Sequence, residues 1–300
     1  MEPPAFVNSI VAHSPAKLNV FLAITGRRTD GFHDLVSVVT PVEFGDTLTV
    51  ELSDEGFSLV CDDLALEIDE TNLVLRAARA FAGATGWKGG ARFSLEKRIP
   101  VGAGLGGGSS NATTALRALN QLAGAPLGAL ELARVAAQLG SDCVLFLQRG
   151  PIVMRGRGEH VQALTPEAAG RLRGRRVLMF KPTFGVSTAW AYRQMAAGAP
   201  SSYVAAAKAE ARLAAWLNRA DAPAEELLFN NMEAPAFAKY IALPVLLACL
   251  RDEFGLSSRM SGSGSACFAF LPDGAPVDAI SKRIRELWGG GAFVMETRLA

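Results

Sequence analysis

The chain has 300 residues, half of them apolar and a fifth charged, which excludes a disordered chain and supplies enough apolar material for one large or two ordinary domains. Thirty basic against 29 acidic side chains leave a formal net charge of +1, so no global field gathers nucleic acid or an anionic membrane, and an anionic ligand must be met by local donors. Cys61, Cys143, Cys249 and Cys267 are dispersed without a C-x-x-C spacing, which argues against a disulfide scaffold or structural zinc site and for a reducing, cytoplasmic setting.

The start, Met1-Glu2-Pro3-Pro4, lacks the basic and apolar regions of a signal peptide. From residue 17 to 24 the sequence alternates, with Leu18, Val20, Leu22 and Ile24 on one face and Lys17, Asn19 and Phe21 on the other, the period of a half-buried strand. Lys17 and Asn19 then point the same way, about 7 Å apart at strand rise. Phe44-Gly45-Asp46 reads as a turn before a second alternation at Leu48, Val50 and Leu52, and residues 91–95 form another extended run. After a glycine cluster at 102–108, Ala112, Ala115, Leu116, Leu119 and Leu122 make the stripe of an amphipathic helix. A further helix reads through Leu132, Val135, Ala136 and Leu139 and stops at Gly140, which suits a C′ position. Residues 166–176 carry no apolar stripe, so a domain boundary is placed there, dividing the chain into 1–168 and 169–300. Beyond it, residues 177–180 read as a strand, 187–219 as helices, 266–271 as a strand, 277–288 as a helix ending on glycines, and 293–297 as a last strand. The densest apolar run, 241–250, contains Pro244 and is too short to span a bilayer. Interleaved strands and helices predict an α+β fold.

The strongest local signal is Pro100-Val101-Gly102-Ala103-Gly104-Leu105-Gly106-Gly107-Gly108-Ser109-Ser110-Asn111, set directly before the helical stripe. Small residues leave backbone N–H groups open to a ligand, and the helix N-terminus adds unpaired donors and partial positive charge. Five glycines in seven positions exceed what a simple N-cap needs, so the run points to phosphate binding. Gly102-x-Gly104-x-x-Gly107 formally fits a dinucleotide fingerprint, but no carboxylate follows about 20 residues later, leaving an NAD-binding oxidoreductase as runner-up. No Gly-Lys-Ser/Thr closes the run, which excludes a Walker A loop. Asp142, between Gly140-Ser141 and an apolar run, reads by itself first as the N-cap of a following helix and second as a carboxylate held for chemistry. His13, His33 and His160 show no metal-site spacing.

Three segments, residues 14–19 (Ser-Pro-Ala-Lys-Leu-Asn), 100–111 and 260–266 (Met-Ser-Gly-Ser-Gly-Ser-Ala), resemble in order the three motifs of the GHMP small-molecule kinases. Thr25-Gly26-Arg27-Arg28-Thr29-Asp30-Gly31-Phe32-His33, the full Gly-Leu-Gly-Gly-Gly-Ser-Ser-Asn loop, Asn72-Leu73 and Phe229-Asn230-Asn231-Met232-Glu233 resemble the 4-diphosphocytidyl-2-C-methyl-D-erythritol kinase branch. A mevalonate or homoserine kinase would share the loop but not the Thr-Gly-Arg-Arg to Phe-His segment.

The resemblance implies a two-domain fold, an N-terminal domain like ribosomal protein S5 domain 2 and a C-terminal ferredoxin-like sandwich with the site in the cleft between them. It implies ATP with Mg²⁺, and phosphorylation of the 2-hydroxyl of the cytidylyl substrate. Lys17 and Asp142 match the catalytic residues. Asn72, Lys97 and the loop from Pro100 and Val101 through Gly102, Ala103, Gly104, Leu105, Gly106, Gly107, Gly108, Ser109 and Ser110 match the ATP site, with Ser110 a candidate metal ligand. Asn19, Phe32, His33, Tyr192, Gly262, Ser263 and Gly264 match the substrate side, Phe32 and His33 holding cytosine with Tyr192 opposite. The branch usually follows its aspartate with Val-Pro-Phe, whereas this chain has Cys143-Val144-Leu145 and so lacks the fixed φ of proline. The expected partner is a small molecule, not nucleic acid or membrane, and the protein a monomer or weak homodimer.

Overall fold

The alternation that begins at Lys17 lies inside a much longer strand. In the computed structural model, which describes residues 8–300, β1 (Ser9–Arg27) and β2 (His33–Ser53) are long strands joined by a tight turn. The chain clusters into two compact units that alternate along the sequence. Unit 1 holds residues 8–16, Gly45–Val101 and Gly106–Arg149; unit 2 holds Lys17–Phe44, Gly102–Leu105 and Gly150–Ala300. These units cross the linear division at 168/169, because the strand of Lys17 and part of the glycine run group with the C-terminal half.

In unit 1, β4 (Gly90–Glu96) pairs antiparallel with the second half of β2, from Thr47 opposite Glu96 to Ser53 opposite Gly90, and parallel with β3 (Phe57–Cys61). Helices α1 (Leu73–Thr85), α2 (Gly107–Leu122) and α3 (Ala129–Leu139) complete the unit. The expected stripe of α2 is buried at Ala112, Ala115, Leu116 and Leu119, and the helix packs on α1, whose Val74, Leu75 and Phe81 are buried in turn. The turn expected at Phe44-Gly45-Asp46 is absent, since β2 runs straight through it. Gly45 is small for another reason: a Cβ there would lie 2.3 Å from the Ser14 carbonyl oxygen and 2.8 Å from Pro15 Cα. Gly140 ends α3 at φ 170°, an extended conformation open to any residue rather than a left-handed cap.

In unit 2, β1 lies between β2 and β8 (Phe229–Asn230), and the first half of β2 pairs antiparallel with β5 (Ile152–Gly156), which pairs with β6 (His160–Ala163). A second, antiparallel sheet has the order β11 (Phe293–Arg298), β7 (Arg176–Lys181), β10 (Cys267–Phe270), β9 (Ser258–Met260). Helices α4 (Pro166–Gly170), α5 (Thr188–Ala197), α6 (Ala206–Leu217), α7 (Glu233–Lys239), α8 (Ala242–Phe254) and α9 (Val277–Trp288) accompany it. Its core draws Leu178 and Phe180 from β7, Cys267 and Ala269 from β10, Leu246 and Leu250 from α8, and Ile280 and Ile284 from α9. The strand of Lys17 is buried on both faces from Ala16 to Ile24, not on one. Leu22 and Ile24 enter this core, and on the other face the Phe21 ring lies beside Phe229 under the Arg212 guanidinium of α6. Segment 166–176, expected to hold no core element, contains α4 and the fully buried Leu172. Among the described residues no single helix is long and apolar enough to cross a membrane.

Candidate active site

Unit 1 carries the helical end of the glycine run. Gly106 precedes α2 at φ +74°, and the first intrahelical bond joins Ser110 N to Gly106 O at 2.9 Å. The N–H groups of Gly107, Gly108 and Ser109 therefore lie ahead of any intrahelical acceptor, at the positive end of a 16-residue helix with no acidic residue in its first turn. Ser110 Oγ is buried without a protein hydrogen-bond partner, an orphan that suits an added phosphate oxygen or a hydrated cation.

Asp46 anchors this end from beneath. Its Oδ1 accepts from Arg98 N and Ile99 N, each at 2.7 Å, and its Oδ2 from Lys97 Nζ at 2.6 Å and Asn111 Nδ2 at 2.9 Å. The side chains of Lys97 and Asp46 are 6% and 0% exposed, so this ion pair is buried. Lys97 Nζ also donates to Ile99 O at 2.6 Å, which places the lysine at the root of the loop. Asn72 caps α1, accepting from Val74 N at 2.9 Å and donating to Glu67 O at 2.7 Å.

Asp142 is half-buried in the turn after α3. The short 3-10 turn that follows, Val144–Leu147, has Cys143 at its N-cap position, so the cap expected of Asp142 falls one residue later. Cys143 is fully buried, its carbonyl accepts from Thr113 Oγ1 of α2 at 2.8 Å, and its thiol contacts the Ser109 side chain. Burial pushes the thiol pKa up, and the hydrogen bonds from Ser109 and Thr113 only partly oppose that. The turn forms without proline at 144, and Cys143 ties the Asp142 segment to both the glycine run and α2.

Unit 2 carries Lys17, Asn19 and both remaining glycine segments. Lys17, 4% exposed, donates through Nζ to Asn19 Oδ1 at 2.6 Å, so the same-side placement read from the alternation is realised as a direct contact. Asn19 Nδ2 donates to Ser37 Oγ at 3.0 Å, and Ser37 Oγ donates to Phe21 O at 2.6 Å, which fixes the carboxamide so that its oxygen faces the lysine. Residues 102–105 and 261–266 meet here: Lys17 N donates to Leu105 O at 2.9 Å, Ala266 N to Ala103 O at 3.0 Å, and Ser261 Oγ to Gly104 O at 3.2 Å. Gly104, at φ +76°, is required twice over, since a Cβ would also fall 2.3 Å from Ser261 O. A Cβ on Gly262 would lie 3.3 Å from Asn19 Oδ1 and 3.4 Å from Lys17 Nζ, so this loop closes directly over the two polar side chains. Ser263 Oγ is 2.9 Å from Thr188 Oγ1, and Ser265 Oγ donates to Phe184 O at 2.6 Å.

The turn between β1 and β2 presents Phe32 and His33. Gly31 takes φ +87° and Asp30 accepts from Phe32 N at 3.1 Å, forming the Asp-Gly turn expected there. The Phe32 ring is half exposed, with the Arg157 guanidinium 5.1 Å above it. His33 is buried, its ring 4.9 Å from that of Tyr192, and its Nε2 lies 3.1 Å from Tyr203 Oη. Burial first, and the Arg27 charge second, hold the His33 pKa below its ordinary value, so the ring is neutral at neutral pH.

Within unit 2 the structure thus assembles Lys17, Asn19, Gly262 and Ser263, with His33 and Tyr192 paired in a second group; in unit 1 it assembles Ser109, Ser110 and the Asp142 turn. Ser37 and Tyr203 are missing from the sequence reading, which names Asp46 only as part of a turn and Asn230 only within a family-like run, with no role for either. Their partners lie far away in sequence, and no local pattern signals what they hold.

Among the described residues no three His, Cys, Asp or Glu side chains are grouped to hold a metal. A Mg²⁺ ion here would take most ligands from phosphate oxygens and water, as that ion commonly does with nucleotides, with Ser110 Oγ as the protein donor.

The glycine run opening a helix, the lysine-asparagine pair on a buried strand and the second glycine loop over that pair are the segments in which the chain resembles small-molecule kinases, and the comparisons with known proteins show that class. The family model for the GHMP kinases N terminal domain matches residues 72–150, and that for GHMP kinases C terminal matches residues 206–290. The chain belongs to the GHMP kinases, which use ATP. It is 37% identical over 262 residues to 4-diphosphocytidyl-2-C-methyl-D-erythritol kinase of Protochlamydia amoebophila, covering 87% of this chain and 84% of that one. It is also 37% identical to the same-named kinase of Thermotoga maritima over 263 residues, 86% of this chain and 91% of that one. A crystal structure of 4-(cytidine 5'-diphospho)-2C-methyl-D-erythritol kinase superposes with a TM-score of 0.77 at 34% identity, covering 97% of this chain and all of that one. Homoserine kinase from Cytophaga hutchinsonii, 19% identical with a TM-score of 0.76 over 100% of this chain and 97% of that one, shares the fold. Within the GHMP kinases, the chain is a member of the 4-diphosphocytidyl-2-C-methyl-D-erythritol kinase family.

Proposed function

We propose that the protein transfers the γ-phosphoryl group of ATP to the 2-hydroxyl of 4-diphosphocytidyl-2-C-methyl-D-erythritol, giving the 2-phosphate and ADP, in the non-mevalonate route to isopentenyl diphosphate. The observation that carries the reading is Lys17 Nζ on Asn19 Oδ1 at 2.6 Å beneath Gly262, in a chain of this family. That site offers a cation for phosphoryl charge and a fixed carboxamide for substrate hydroxyls. The two family-model matches fall on either side of the 168/169 division, which supports that division as the boundary between the family's N- and C-terminal domains. A cytoplasmic monomer or weak homodimer acting on a small molecule is the setting we propose.

In this reading the N–H groups of Gly107, Gly108 and Ser109 receive the phosphates. Mg²⁺, when bound, supplies charge compensation at the β and γ phosphate oxygens. Asp142 takes the accepting hydroxyl. An alcohol is about as weak an acid as water, ~15.7, and a free Asp is ~3.9, so early deprotonation is ruled out. In a loose transition state the proton becomes acidic late, and a carboxylate that orients the hydroxyl and then accepts its proton suffices. Lys17 offsets charge spreading over the transferred group. His33, neutral and held by Tyr203, presents a directional polar edge beside the Tyr192 ring, which suits cytosine.

ADP release measured on a panel of acceptors tests the reading: turnover is expected with the cytidylyl substrate and not with mevalonate or homoserine. The Asp142→Asn variant is expected to lose about 10²–10⁴-fold in kcat while ATP still binds. Equal turnover of the other acceptors, or an undiminished variant, removes the assignment.

A further inference from the structure

The run Phe229-Asn230-Asn231-Met232-Glu233 takes no part in the chemistry above, yet each of its polar side chains is engaged with backbone. Asn230 is 4% exposed. Its Nδ2 donates to both Met260 O and Gly262 O at 2.8 Å, and its Oδ1 accepts from Met232 N at 2.9 Å. Glu233 Oε1 accepts from Met260 N at 2.8 Å. Asn231 Oδ1 accepts from Ile24 N at 2.8 Å, and its Nδ2 donates to Ile24 O at 3.0 Å and Ser202 O at 2.9 Å. The strand at the head of the run, β8, pairs with β1 at Phe21 and Leu22.

We infer that residues 230–233 are positioning residues: Asn230 and Glu233 hold the 260–262 loop in register with the strand of Lys17 and Asn19, while Asn231 fixes the end of that strand against the segment bearing Tyr203. The chemistry of the partners selects the side chains. Met260 and Gly262 offer two carbonyls to one point, and a short side chain that donates twice and accepts once is a carboxamide. An aspartate there would set a charged acceptor against two carbonyl oxygens. The N–H of Met260 needs the opposite, an acceptor, and Glu233 supplies it. Burial pushes the Glu233 carboxyl up to about 7 against the Met260 N–H and the Arg259 charge, and the Cys267 thiol is the other titratable group facing it. Because Gly262 closes over Lys17 Nζ and Asn19 Oδ1, a shift of this loop of about 1 Å displaces the reacting groups, an error worth about 10²-fold in rate.

This inference rests on the proposed reaction for its kinetic arm only. ADP release by the unaltered enzyme is read first; its absence rejects the substrate, and amide hydrogen exchange then judges the frame without one. Asn230→Asp, nearly isosteric, is expected to lower kcat by about 30- to 100-fold with the ATP KM within about twofold, and to speed exchange at 260–266 while α9 is unchanged. Glu233→Gln keeps the acceptor and is expected to stay within about threefold of normal kcat at pH 7, whereas Glu233→Leu falls as Asn230→Asp does. Should Asn230→Asp not fold, Asn230→Ser, which keeps one donor, is read by the same criteria. A folded Asn230 variant with normal kcat and normal exchange at 260–266 overturns the inference, as does a Glu233→Leu variant indistinguishable from Glu233→Gln.

Discussion

Beneath the first glycine run a carboxylate, Asp46, gathers two backbone N–H groups, an ammonium and a carboxamide N–H; beneath the second a carboxamide, Asn230, gathers two backbone carbonyls. One clamp is ionic and the other neutral. The difference follows from which backbone groups each segment turns inward. Where Arg98 and Ile99 present donors, only an acceptor serves, and a buried acceptor with full charge calls for a cation, which Lys97 provides. Where Met260 and Gly262 present acceptors, a neutral double donor serves and no counter-ion is needed. A loop's backbone polarity thus chooses the chemistry of its anchor, and the two anchors should respond to different perturbations.

The largest response is expected from the ionic side. Lys97→Met strips the buried Asp46 carboxylate of its cation and should cost about 3–5 kcal/mol in urea unfolding. The double variant Asp46→Asn with Lys97→Met should recover a good part of that loss, because no unpaired charge stays buried. A double variant no better than Lys97→Met would show that the charge pair is not what anchors the loop.

Next comes the pH response of the second clamp. The Glu233 carboxyl titrates at about 7 in the folded protein against an ordinary 4.5. Its contribution to stability is therefore full below about pH 4.5 and is lost as pH rises to about 7. The shift corresponds to roughly 3 kcal/mol across that window. Glu233→Gln cannot titrate, so its stability relative to the parent should climb by that order between pH 4.5 and pH 8. Parallel curves for the two proteins would contradict the shift.

The smallest effect is at Ser110, whose buried hydroxyl lacks a protein partner. Ser110→Ala should leave unfolding within about 0.5 kcal/mol while weakening the affinity for Mg·ATP relative to the parent. A clear loss of stability with unchanged nucleotide affinity would make that hydroxyl structural.

Much of this was legible in the residues, for reasons that differ by element. Helices α2 and α9 carry their burial as a period, so Ala112 to Leu119 and Ile280 with Ile284 declare themselves, whereas the alternation in β1 marks a strand but not its burial on both faces. Strands β5, β6 and β8 are short and take their definition from neighbours distant in sequence, which no local pattern records. Lys17 and Asn19 could be paired from strand periodicity alone. Lys97 could not be assigned to its Asp46 partner, 51 positions away, nor Asn230 to carbonyls 30 and 32 positions away. Gly45 misled because its smallness serves a close approach to Ser14 and Pro15 and not a bend. Glycine marks where backbone meets something, and the sequence does not say whether that is a turn, a ligand or another strand.

The site of phosphorylation is the most direct test of the central claim. Phosphorus NMR on the product made from ATP and 4-diphosphocytidyl-2-C-methyl-D-erythritol should show one new monoester signal without three-bond proton splitting, as phosphate on the tertiary 2-hydroxyl requires. A split signal, placing the phosphate on a primary or secondary hydroxyl, or no new signal at all, would contradict it.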